Sequence, residues 1–69
     1  MGLSARNRLD GTVKEVRTGQ VMAEVVIELG DGQEVTSTIT LNSCERLDLA
    51  PGDDVSAVIK ASEVMVNKD

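Results

Sequence analysis

The chain has no phenylalanine, tyrosine, tryptophan or histidine, and only one cysteine and one proline. Each absence removes a class of function. Without aromatic rings there is no platform on which the bases of a single-stranded nucleic acid could stack. Without histidine, the commonest general base and a common metal ligand are missing. Cys44 alone can neither close an intrachain disulfide nor build a zinc cluster. Positive charge is also scarce: seven Lys and Arg stand against twelve Asp and Glu, a formal net charge of -5. That balance opposes the counterion-releasing contacts by which proteins hold nucleic acid. No apolar run approaches the roughly 20 residues of a membrane-crossing helix.

The opening MGLSARNRLDG lacks the apolar stretch of a secretory signal. It also carries Arg6 where a myristoylation pattern wants Ser or Thr. The expectation is a soluble cytoplasmic protein with no nucleic-acid or membrane partner, and a free thiol agrees with a reducing compartment. With 69 residues, the chain is expected to form a single domain spanning 1–69, without repeat or linker. A domain of this size buries only roughly 60% of the surface its unfolded chain exposes. Disulfides, metals or self-association usually supply the remaining stability, and elimination leaves self-association.

What is present is a series of short β-rich runs separated by turn residues, the pattern of a small barrel or sandwich. The first strand is expected over Leu9 to Val16, ended by Thr18-Gly19. In VMAEVVIEL, residues Val21, Ala23, Val25, Ile27 and Leu29 alternate onto one face. Gly30-Asp31-Gly32 supplies a tight hairpin. EVTSTITL then places Val35, Ser37, Ile39 and Leu41 opposite Thr36, Thr38 and Thr40. NSCERLDL breaks the alternation and predicts a short helix capped by Asn42 or Ser43, with Glu45 near its N-terminus, ending before Pro51-Gly52. A fourth strand follows over Val55 to Ile59 and a fifth over Glu63 to Val66. Five strands with one short helix between the third and fourth is the layout of an all-β, OB-like barrel. Met22 and Val26 on the second face of strand two, and Met65 opposite Val64 and Val66, ask for cover that a subunit interface would give. Scattered apolar surface residues are the ordinary alternative.

Catalysis finds no support: there is no nucleophile elbow and no glycine-rich phosphate loop. Asp53-Asp54 after Pro51-Gly52 reads as a solvated turn, and Cys44 as a structural thiol. No enzyme activity, catalytic cofactor or directly ligated metal is expected. Binding of a small anion fits better. Two segments set cations among small polar residues: Ser4-Ala5-Arg6-Asn7-Arg8 and Lys60-Ala61-Ser62. Arg offers a rigid fork of donors and Lys a compact charge, while hydroxyls and main-chain N–H groups can complete the shell. Composition alone favours the plainer reading, a solvated N-terminal tail and an exposed lysine at a strand end.

SARNRLDGTVKEV, GQVMAEVVIEL and TITLNSCERLDLAPGDDVSAVIKASEVMV together resemble the Mop or molbindin family of molybdate-binding proteins, from about Leu3 to Val66. The most specific parts are the Ser-Ala-Arg-Asn-x-Leu opening, the Leu-x-Leu-x-Pro-Gly turn and the closing Ile-Lys-Ala-Ser. The resemblance implies an OB-like barrel and a homo-oligomer, a hexamer built as a trimer of dimers, holding molybdate or tungstate between subunits. It implies cytoplasmic storage or buffering of the oxyanion in molybdenum homeostasis, as the free-standing form of the module. A non-catalytic OB-fold interaction or regulatory module without bound oxyanion is the alternative. By position, the resemblance assigns the anion to Ser4, Ala5 and Arg6, to Lys60, Ala61 and Ser62, and to Thr40. Asn7 and the Gly19-Gln20-Val21 turn are weaker candidates, for a second class of site or a neighbouring subunit. It gives no role to Cys44.

Overall fold

The computed structural model describes residues 5–69. Four strands carry the fold: β1 (Asn7–Thr18), β2 (Met22–Leu29), β3 (Glu34–Thr40) and β4 (Asp54–Ile59). A short helix, α1 (Leu41–Leu47), separates β3 from β4, and one 3-10 turn, Ala61–Glu63, follows β4. The sheet runs β3-β2-β1-β4, with every neighbouring pair antiparallel. β1 is central and long because it must pair with β2 along one edge and β4 along the other.

The β1–β2 register slips between Val13 and Glu15, so that Val13 faces Ile27 while Val16 faces Val25. This bulge keeps two valines three residues apart on the same face, which strict alternation would separate, and it adds bend to the strand. Lys14 is the extra residue and points outward to the carboxylate of Glu34.

The concave face holds the core. Val13, Val25, Ile27 and Ala57 are buried, and Val16, Leu29, Val35, Ile39, Leu49 and Val55 pack against them. Curling brings the free edges of β3 and β4 to face each other across an open groove of about 270 Å³, lined by Ile27, Val35, Ser37, Ser56 and Val58 among others. An adjoining apolar hollow of about 150 Å³ reaches Leu47 and Leu49. Among the described residues the sheet is therefore a half-barrel rather than a closed one.

Local chemistry explains the connections. The β2–β3 hairpin turns at Gly30-Asp31-Gly32, where the Gly32 N–H donates to Leu29 O at 3.0 Å and Gly32 takes φ 87°. At Ala50-Pro51-Gly52-Asp53, proline fixes the first corner position and Gly52 takes φ 97°. Asp53 Oδ2 accepts from the Ala50 N–H at 2.9 Å. The Gly52 N–H donates to Val13 O, and the Val13 N–H to Asp53 O, at 2.8 and 2.9 Å. The aspartate after Pro-Gly thus pins the turn to β1.

Three expectations are corrected. The helix is capped by neither Asn42 nor Ser43 but by Thr40, whose side chain accepts from the Ser43 N–H. Leu41 accordingly opens α1 instead of closing β3. Glu63 to Val66 is not a strand: the 3-10 turn takes Glu63, and the residues beyond it join no ladder. Val64 is extended, at φ -92° and ψ 118°, but a strand needs a neighbour for its backbone groups, and none of the four strands provides one. Val64, Met65 and Val66 are 50%, 94% and 92% exposed.

Candidate functional site

The β1–β4 ladder sets the two cation-bearing segments side by side. Its last pair is Asn7 with Ile59, reinforced by Asn7 Nδ2 donating to Ile59 O at 3.2 Å. Arg6 and Lys60 are the residues next beyond this pair, so both stand at the same end of the sheet. Arg6, Lys60, Ala61 and Ser62 are all exposed. Ser4, the remaining member of this group, lies outside the described residues.

Lys60-Ala61-Ser62 forms a corner rather than a strand continuation. The Glu63 N–H donates to Lys60 O at 2.8 Å, closing the 3-10 turn. The amides that open such a turn have no partner within it, and the small side chains of Ala61 and Ser62 leave them approachable.

Thr40 and Gly19-Gln20-Val21 are at the other end of the sheet. Thr40 pairs with Met22, and Thr18 with Ala23, so both belong to the end of β1 remote from Asn7. The 12 residues of β1 span up to roughly 36 Å if straight. The Leu41 N–H donates to Val21 O at 2.7 Å and the Gly19 N–H to Met22 O at 2.8 Å, so this turn and the start of α1 form one unit. One chain therefore holds two groups of candidates, at opposite ends.

Thr40 already has local work. Its hydroxyl donates to Ser43 Oγ at 2.8 Å while accepting from the Ser43 N–H at 3.1 Å, and Arg46 Nη2 donates to Ser43 Oγ at 3.4 Å. Sequence reasoning gave Ser43 only a capping role and passed over Arg46, because only the Thr40 cap brings them together. It also passed over the link across β1 and β4 in which Arg8 Nε donates to Ser56 Oγ at 3.3 Å and Ser56 Oγ donates to Asp10 Oδ1 at 2.9 Å.

Ion pairing sorts the cations. Among the described residues, Lys14 pairs with Glu34 and Arg17 with Glu15, the latter at 2.7 Å. In each case the hydrogen bond to the carboxylate, followed by its charge, holds the cation above its ordinary pKa. Arg6, Arg8 and Lys60 enter no such pair. A surface depression of about 480 Å³ is bordered by Asp10, Glu28 and Asp54; three carboxylates there would repel an anion. No group of three or more metal-binding side chains occurs among the described residues, nor does any helix long and apolar enough to cross a membrane.

Residues 3–66 match the TOBE domain. The chain is 48% identical over 66 residues to molybdenum-pterin-binding protein 3 of Clostridium pasteurianum, covering 96% of this chain and 97% of that protein. It superposes on a molybdate binding protein from Sporomusa ovata with a TM-score of 0.91 at 47% identity, over 99% of this chain and 100% of that one. A molybdate-bound structure of the cytoplasmic molybdate-binding protein ModG gives 0.89 at 52% identity, over 94% of this chain and 46% of the other. With its curled sheet, capped helix and paired cationic segments, this chain belongs to the TOBE-domain family, among the Mop-type relatives named molybdenum-pterin-binding proteins.

Proposed function

We propose that this protein binds molybdate, or the equally sized tungstate, and holds it as a cytoplasmic store or buffer without catalysing a reaction on it. The observation that carries the reading is the β1–β4 ladder, whose last pair, Asn7 with Ile59, brings the neighbouring Arg6 and Lys60 to the same end of the sheet. A dianion is costly to remove from water unless it is charge-paired and fully hydrogen-bonded. An Arg fork, a Lys ammonium, the Ser4 and Ser62 hydroxyls and neighbouring amides supply both requirements. The molybdate-binding relatives support the identity of the ligand.

The site is completed by other copies of the chain. Thr40 and the Gly19-Gln20-Val21 turn lie at the end of the sheet remote from Lys60, so one anion can meet both groups only where subunits adjoin. The exposed tail at Val64–Val66 and the open groove between β3 and β4 support an assembly in which the tail acts as the fifth strand of an OB-like barrel. A hexamer, a trimer of dimers, is the proposed form, with the whole of 1–69 acting as one domain.

Molybdate is separated from sulfate by size and donor spacing, since charge and shape are alike. The test is calorimetric titration of the purified protein with molybdate, alone and against sulfate, alongside its mass by size-exclusion and light scattering. Tight molybdate binding by an oligomer, lost in Lys60→Ala, is expected. A monomer taking up no molybdate, or sulfate binding as tightly, overturns the reading.

A further inference from the structure

Arg46 stands in the last turn of α1, where a cation gains most from the carbonyl end of a helix, and Glu45 and Asp48 are close to it in sequence. Yet among the described residues the ion pairs are those of Lys14 and Arg17. Arg46 reaches back one turn instead, its Nη2 donating to Ser43 Oγ at 3.4 Å. Residues three apart on a helix share a face, and long side chains there lean toward the N-terminus. The Thr40 hydroxyl donates to the same oxygen at 2.8 Å, so Arg46, Ser43 and Thr40 form one continuous chain of bonds. A hydroxyl has one proton and two lone pairs. Both lone pairs of Ser43 Oγ are taken, by Thr40 and by Arg46, and the Thr40 proton is spent on Ser43. The proton left over is that of Ser43, and neither partner can accept it. The amides beside it are engaged as well, the Leu41 N–H on Val21 O and the Ser43 N–H on Thr40 Oγ1. The hydroxyl pair is therefore an obligate donor, and molybdate, an anion without a proton, is an acceptor only.

We propose that Arg46 is a positioning residue of the oxyanion site: by filling the second lone pair of Ser43 Oγ, it keeps the free proton of the Thr40–Ser43 pair turned outward, toward the anion. The role rests on the reading above, in which Thr40 completes the oxyanion shell of an adjoining copy. Arg46 acts through Ser43 and does not itself touch the anion. Without it, Ser43 Oγ regains a lone pair that water can fill, and the proton is free to turn away. Removing Arg46 weakens molybdate binding roughly threefold to tenfold, the scale of one hydrogen bond. Ser43→Ala removes the proton itself and weakens binding at least as much.

The experiment is calorimetric titration of molybdate into the full chain for wild type, Arg46→Ala, Arg46→Lys, Ser43→Ala, the double variant of Ser43→Ala with Arg46→Ala, and Lys60→Ala. Thermal melts of each set the titrations well below the melting midpoint. The expected result is weakening in Arg46→Ala, recovery in Arg46→Lys, and no further loss when Arg46→Ala is added to Ser43→Ala, the non-additivity of two groups in one network. Arg46→Ala binding as wild type, while Lys60→Ala does not bind, overturns the role of Arg46 and leaves the site standing, even if its melting midpoint falls. Ser43→Ala binding as wild type, Arg46→Lys binding as weakly as Arg46→Ala, or losses that add in the double variant each overturn the action through Ser43. Wild type failing to bind molybdate overturns the site itself, and the role of Arg46 with it.

Discussion

A β-carbon placed on Gly11 would stand 2.6 Å from the carbonyl oxygen of Glu28 and 2.7 Å from Ile27 Cγ2. Gly11 pairs with Leu29 on one side and Val55 on the other, so this close approach lies where all three strands must follow the same bend. A glycine in mid-strand normally weakens it, and is found where another backbone comes close. Gly11→Ala is expected to lower stability by about 1–3 kcal/mol, as overpacking does. Thermal melting checks it; a midpoint equal to wild type would mean the strands can part freely.

Asp48 ends α1 in the left-handed region, at φ 52° and ψ 48°. Its N–H donates to Glu45 O at 3.0 Å, and the Leu49 N–H to Cys44 O at 3.3 Å, the bond pair of a Schellman ending in which glycine is the usual residue. Asp48→Gly relieves the β-carbon crowding and should stabilise the fold by about 1 kcal/mol. Urea unfolding would register this as a higher midpoint at unchanged slope.

Thr40 joins stability to the proposed site. Thr40→Ala removes the cap that accepts the Ser43 N–H and should cost about 1 kcal/mol, whereas Thr40→Ser keeps it. If the hydroxyl also serves the anion, molybdate affinity falls in the alanine variant even far below its melting temperature, and returns with serine. Equal affinity in all three proteins would confine Thr40 to capping.

The hairpin gives the acid response a definite sign. Hydrogen bonds from the Gln33 side chain at 2.5 Å and the Gln33 N–H at 3.1 Å hold the Asp31 carboxyl below its ordinary pKa. A depressed folded-state value means the contribution is complete above the ordinary carboxylate range and is lost as pH falls through the folded value. The group is exposed, so the effect is small. Asp31→Asn should flatten the acid limb of a stability–pH curve between about pH 5 and 2; an unaltered limb would remove Asp31 from the balance.

Much of the fold was legible because period-two patterning marks buried faces directly. Ala23, Val25 and Ile27 alternate in the sequence and are buried in the sheet, and Gly-Asp-Gly and Pro-Gly carry their turns in their own backbone freedom. The bulge at Lys14 was not legible: Leu9 to Val16 reads as one plain strand, and only the register slip between Val13 and Glu15 puts Val13 and Val16 on one face. The tail misled because Val64 and Val66 have the composition of a strand, while strand formation also needs a free edge within reach. For the candidate site, motif order paired the opening and closing segments, and the ladder that ends at Asn7 with Ile59 brings those segments to one end of the sheet. The separation of Thr40 from both follows from strand direction, which no local pattern encodes.

The ladder between β1 and β4 joins the most distant parts of the chain, Asn7 with Ile59, whereas β1–β2 and β2–β3 close over short turns. Non-local pairings form late because their loop closure must come first. The ends of β1 and β4 nearest Arg6 and Lys60 are therefore expected to assemble late and to exchange their amides soonest. Anion binding would act there as a clasp, and amide hydrogen exchange along Asn7–Gly11 and Val55–Ile59 would slow on adding molybdate while the hairpin amides keep their pace.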